Sequence, residues 1–140
     1  MNEQDYDFFK SINEQTIATS NAVLRSLILI NGGAAVAFLA FVGGLVGNQS
    51  LHVTDKVANL TTPLLWFGWG VTAAVVSMIF AYFTHYFTAA HAQAEPPAHQ
   101  IPGAFKTIFH VLGVLAAFGS LTLFLVGMYE VRASVLTVLH

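Results

Sequence analysis

Cysteine is absent from the 140 residues, which excludes disulfides, thiolate metal sites and thiol nucleophiles together. Charge is scarce. Asp, Glu, Lys and Arg make up 9% of the chain, against roughly 25% in soluble domains. Only five residues are Lys or Arg and the formal net charge is −2, so nucleic-acid binding has no electrostatic basis. Helix breakers are missing from the first part of the chain: no proline or glycine occurs before Gly32. The start of the chain lacks a basic segment leading into a short apolar core. Met1–Asn21 is instead polar and carries Glu3, Asp5, Asp7 and Glu14, which argues against a cleaved signal peptide and for a retained first span.

What the chain holds in quantity is apolar helix-forming sequence. Ser26–Gly47, Pro63–Ala90 and Thr107–Tyr129 contain no Asp, Glu, Lys or Arg. Each is long enough to cross a bilayer, which takes about 20 helical residues. The expected fold is all-α: an integral membrane three-helix bundle, a single domain over 1–140. Its transmembrane helices fall at about 22–47, 63–91 and 103–129. Residues 5–21 are expected to form a cytoplasmic helical extension continuous with the first span, because nothing breaks the helix between them. Thr61-Thr62-Pro63 reads as a cap followed by a first-turn proline opening the second helix. Pro96-Pro97 stops that helix and Pro102-Gly103 precedes the third. Trp66 and Trp69 near one end of the second span, with Tyr82 and Tyr86 near the other, fit interfacial aromatic belts. Lys10, Arg25 and Lys106 fall on one side, Lys56 and Arg132 on the other. The positive-inside rule then places the N-terminus in the cytoplasm. Asn48-Gln49-Ser50 and Asn59-Leu60-Thr61 match the glycosylation pattern and are read as chance.

Two constellations stand out. The first is a set of small-residue stripes at steps of three and four, which places them on one helical face. They comprise Gly33, Ala37, Ala40, Gly44 and Gly47 in the first span, and Gly70, Ala74, Ser77 and Ala81 in the second. The third has Gly113, Ala117, Ser120 and Gly127, with Phe124 filling the remaining position. Such faces let helix backbones approach closely where lipid removes the hydrophobic drive. They are expected to close the bundle, with the first-span stripe, including a separate Gly43–Gly47 GxxxG, in surplus.

The second is an intramembrane polar cluster of Asn31, His85 and His110. Depths counted from Arg25, from the end of the second helix and from Lys106 put all three at one level. The two histidines continue the small stripes and are expected to point inward. Polar residues inside a membrane usually mark a site or an interhelical hydrogen bond. A structural lock, a proton path or pore, and a haem b held by two axial histidines are the chemistries this set allows. No metal site with tight ligand spacing is written in the chain. Catalysis has little support: no carboxylate pair shares an intramembrane face, and Ser77 and Ser120 have no base at suitable spacing.

The run Leu27-Ile28-Leu29-Ile30-Asn31-Gly32-Gly33-Ala34-Ala35-Val36-Ala37, preceded by Arg25, resembles a motif in small bacterial inner-membrane proteins of unknown function. That resemblance implies a bacterial inner membrane and no activity. In size and span count the chain is also similar to the three-helix anchor subunits of succinate dehydrogenase and fumarate reductase. Their Ser-x-x-x-Arg and His-rich quinone and haem motifs are not found here. The functional expectation is a non-enzymatic membrane protein without a cofactor. Its partners would be the lipid bilayer and either further copies of itself, as a homo-oligomer, or a larger membrane complex. A homo-oligomeric pore and a haem or quinone anchor are the alternatives.

Overall fold

A computed structural model describes residues 3–47, 54–93 and 100–139. The chain ends and the two connections lie outside the described residues, and with them Asn48, His52, Pro96, Pro97, His99 and His140. The described residues form three helices and no strand: α1 Glu3–Gly47, α2 Thr54–Gln93 and α3 Gln100–Leu139. All three are long and apolar enough to cross a membrane. The N-terminal extension and the first span are one helix of 45 residues, as the lack of a breaker requires.

Helix α2 begins nine residues before the proline that was expected to open it. Pro63 is therefore internal and buried. It cannot donate to the carbonyl of Asn59, yet Thr54–Thr62 remain helical. Helix α3 likewise runs past the expected end at 129, through Glu130 and Arg132, to Leu139. Charge at a membrane boundary ends a hydrophobic segment without ending a helix.

The core follows a seven-residue beat. On α2 the buried positions are Pro63, Phe67, Gly70, Ala74 and Ser77, alternating steps of four and three. On α3 they are Gly113, Ser120, Gly127 and Ser134. On α1 they are Leu24, Leu27, Asn31 and Phe38. A repeat of seven residues over helices of 3.6 per turn is the signature of left-handed supercoiling. The contacts stack these positions into layers. Asn31 meets Gly70 and Ser120; Ser77 bonds to Gly113; Phe67 lies on Gly127. Thus α2 runs antiparallel to both of its neighbours.

The α2–α3 hairpin is the most closely packed pair, α1 lies mainly on α2, and α1 with α3 is the weakest pairing. Small residues explain the first point: Gly70, Ala74 and Ser77 face Gly113, Ser120 and Gly127, so the backbones close up. Beyond that seam, rings zip the hairpin. Phe87 stacks on Phe109 at 5.5 Å and on Phe105 at 5.3 Å, and Phe83 on Phe109 at 5.1 Å. On either side of its crossing, α1 diverges from α3, which leaves a wedge-shaped cleft towards each end of the bundle.

Candidate functional site

The crossing layer is built around Asn31. Its side chain is fully buried, and its Nδ2 donates to the Leu27 carbonyl at 2.9 Å and to Ser120 Oγ at 3.3 Å. Ser120 Oγ in turn donates to the Gly70 carbonyl at 2.7 Å. One chain of hydrogen bonds therefore joins α1, α3 and α2. Gly70 is required because a Cβ there would overlap the Asn31 amide. Asn31 Oδ1 accepts no hydrogen bond. One layer away, Ser77 Oγ donates to the Gly113 carbonyl at 2.7 Å and ties α2 to α3 again. Replacing Ser120 by alanine removes two links of the chain. The expected loss is about 1 kcal/mol, within the range measured for hydrogen bonds between membrane helices. A double-mutant cycle with Asn31→Ala checks it: the two changes should be clearly less than additive.

Asn31 is not joined by the histidines. His85 lies 15 residues from Gly70 and His110 ten residues from Ser120, or about 22 and 15 Å along their helices. The expected common depth fails because it was counted from Arg25, on the assumption that Arg25 marks the surface. Leu24 and Leu27 pack against Ala74 and are flanked by Met78, Ala81 and Ala117, so Arg25 lies within the packed part of the bundle, about 9 Å along α1 from Asn31. Its side chain is exposed and free to reach outward. A hydrocarbon layer of about 30 Å centred on Asn31 takes in about 20 residues of each helix. These are 21–41, 60–80 and 110–130, with only Arg25 and Glu130 charged, each within about a turn of an edge.

His85 and His110 are both exposed rather than turned into the core. They do share a feature: both line the larger cleft, together with Lys106. This cleft has a volume of about 510 Å³ and lies between α1 and α3 over a floor of α2. Asn13, Thr16 and Ser20 border it from the extension, Thr84 and Thr88 from α2, and no Asp or Glu lines it. Its deeper end is apolar, with Leu24, Ala81, Val114, Ala117 and Phe118. The cleft was not legible beforehand, since its walls come from the axial offset of α1 against the hairpin. Among the described residues no group of three or more His, Asp or Glu side chains is arranged to hold a metal ion.

The small stripes divide. Those of α2 and α3 are consumed in the hairpin seam: Gly70, Ala74, Ser77, Gly113, Ser120 and Gly127 are buried, and Ala81 and Ala117 half-buried. The α1 stripe is not. Gly33, Ala37, Ala40 and Gly44 are exposed, and a Cβ at Gly33 or Gly44 would meet nothing within 4 Å. No known protein family, characterised protein or solved structure matches the chain.

Proposed function

We propose that this is a non-enzymatic integral membrane protein that assembles with itself through the outward face of α1. The observation that supports it is the unpartnered state of that face. From Gly33 the stripe continues in both directions at unbroken steps of three and four, from Ser26 and Ile30 through Ala37, Ala40 and Gly44 to Gly47. Every position is exposed and none is charged. Small residues along that face let a facing helix backbone approach closely, and within one chain α1 has spent only its opposite face. The buried polar side chains Asn31, Ser77 and Ser120 spend their bonds on packing, which supports a structural and not a catalytic reading.

A second copy fits this face better than an unrelated helix does. Copies in one membrane share an orientation, so their two-fold axis runs along the membrane normal. Helix α1 then meets its own copy in parallel and in register, small residue against small residue. The same assembly can serve as an accessory unit of a larger complex. In this reading the membrane is a bacterial inner membrane and the end bearing Lys10, Arg25 and Lys106 is cytoplasmic, in keeping with the positive-inside rule.

The chain has no cysteine, so a single introduced thiol is a clean reporter. Ala40→Cys should form a disulfide-linked dimer in native membranes under mild oxidation, whereas Leu112→Cys on α3 should not. In mild detergent the protein mass should be about twice the 15.1 kDa of one chain. Gly33→Leu with Gly44→Leu should return it to one chain, and Gly68→Ala should not. A single-chain mass with no Ala40→Cys crosslink, or recovery bound only to other proteins, would refute self-assembly.

A further inference from the structure

We infer that the cleft between α1 and α3 binds one anionic phospholipid of the surrounding leaflet, an acyl chain between the helices and the phosphate at Lys106 and His85. The donors point to the head group. Thr16, Ser20, Thr84 and Thr88 donate their hydroxyl hydrogens to carbonyls of their own helices, at 2.7 to 2.9 Å. Those four hydroxyl hydrogens are therefore committed within the helices. The other donors there are the Lys106 ammonium, the imidazole N–H groups of His85 and His110, the Asn13 amide and the Thr19 hydroxyl. With no carboxylate in the lining, this end of the cleft favours an anion.

Depth selects a lipid. Lys106 lies about 21 Å along α3 from Ser120, and His85 about 22 Å along α2 from Gly70. With the bilayer centred on the Asn31 layer, that is the half-thickness of about 40–45 Å with its head groups, the level of lipid phosphates. His110 lies about 15 Å from the same layer, at the edge of the hydrocarbon. Below it the lining is Leu24, Val114, Ala117 and Phe118, with the Ser77 hydroxyl committed to the Gly113 carbonyl. All three helices line the same length, 13–24, 77–88 and 106–118, about 17 Å at helical rise. On α3 the apolar end reaches Ala117 and Phe118, within about 5 Å of the Asn31 layer, and stays in the same leaflet. A volume of 510 Å³ falls within the usual range of small-molecule sites.

Native mass spectrometry on protein released from vesicles holding equal phosphatidylglycerol and phosphatidylcholine of identical chains tests this. One phosphatidylglycerol per chain should persist under activation that strips phosphatidylcholine. Lys106→Gln should weaken that retention roughly fivefold, the worth of one interfacial cation. Arg25→Gln, an exposed cation outside the cleft, should leave it unchanged. Val114→Trp, at an exposed position in the apolar end, should abolish it while helicity is kept. Equal retention of the two lipids, or equal loss in Lys106→Gln and Arg25→Gln, would overturn the site. So would a neutral lipophile such as a quinone, found in place of phosphorus when protein purified from native membranes is extracted. These readouts are per chain and stand whether or not the protein self-assembles.

Discussion

Truncating Phe67 to alanine is expected to destabilise the bundle by about 3 kcal/mol, the low end of the range for such changes in water-soluble cores. The low end applies because that range includes a transfer term for leaving water. In a bilayer the unfolded reference already places the ring among lipid chains. What remains is the void. Phe67 is 1% exposed, lies over Gly127 and stands 6.0 Å from the Phe124 ring, so little can collapse into its place. Its partner supplies a second reading of the same contact. A Cβ at Gly127 would come within 2.6 Å of Phe67 Cε1, so Gly127→Ala should also destabilise. Combining it with Phe67→Leu, which withdraws the ring edge, should recover part of the sum of the single losses. Reversible unfolding of the reconstituted protein in mixed micelles, followed by helical circular dichroism, measures all of these. A loss below about 1 kcal/mol for Phe67→Ala would mean that lipid already reaches the ring in the folded state.

Gly70→Val should be about as damaging, for a different reason. The new side chain falls on the Asn31 amide, whose Cγ would stand 2.6 Å from the added Cβ. Asn31 has no free direction: it is completely buried and its Nδ2 is committed to Leu27 and Ser120. Overpacking costs about 1–3 kcal/mol in a closed core. Turning the amide away adds up to about 1.7 kcal/mol for an interhelical hydrogen bond. Asn31→Ala in the same chain should relieve the clash and restore much of the loss. Gly33→Ala, two residues along α1 but open on its outer side, should be neutral or stabilise the folded chain by about 0.5–1 kcal/mol through helix propensity. If Gly70→Val and Gly33→Ala unfold alike, α1 does not cross the hairpin at Asn31.

The two glycines show how far the sequence could be read. Both belong to stripes of identical appearance, and periodicity correctly placed each stripe on one helical face. It could not say which face meets which neighbour, because small residues at steps of three and four suit any close partner. The contacts decide that Gly70 is occupied by Asn31 and Gly33 by nothing within the chain. The phenylalanine zip of Phe83, Phe87, Phe105 and Phe109 had a readable signal in its spacing. Phe83 and Phe87, like Phe105 and Phe109, stand four residues apart and so share a helical face. The polar cluster failed for another reason. Arg25, the end of the second helix and Lys106 are marks at different depths, because a long basic side chain such as Arg25 can reach the interface from inside the hydrocarbon.

By itself the sequence determined the class: three helices, each long and apolar enough to span a bilayer, the first continuous with its polar extension. Helix length, charge depletion and the absence of breakers are local properties, and in lipid a helix satisfies its own backbone without help from neighbours. The tertiary structure alone decided the axial register of α1 against the hairpin. With it came the pairing of Asn31 with Ser120 and Gly70, and the cleft shared by Lys106, His85 and His110. Register depends on which side chains fit together across an interface. That is a property of pairs of helices, and no single helix encodes it.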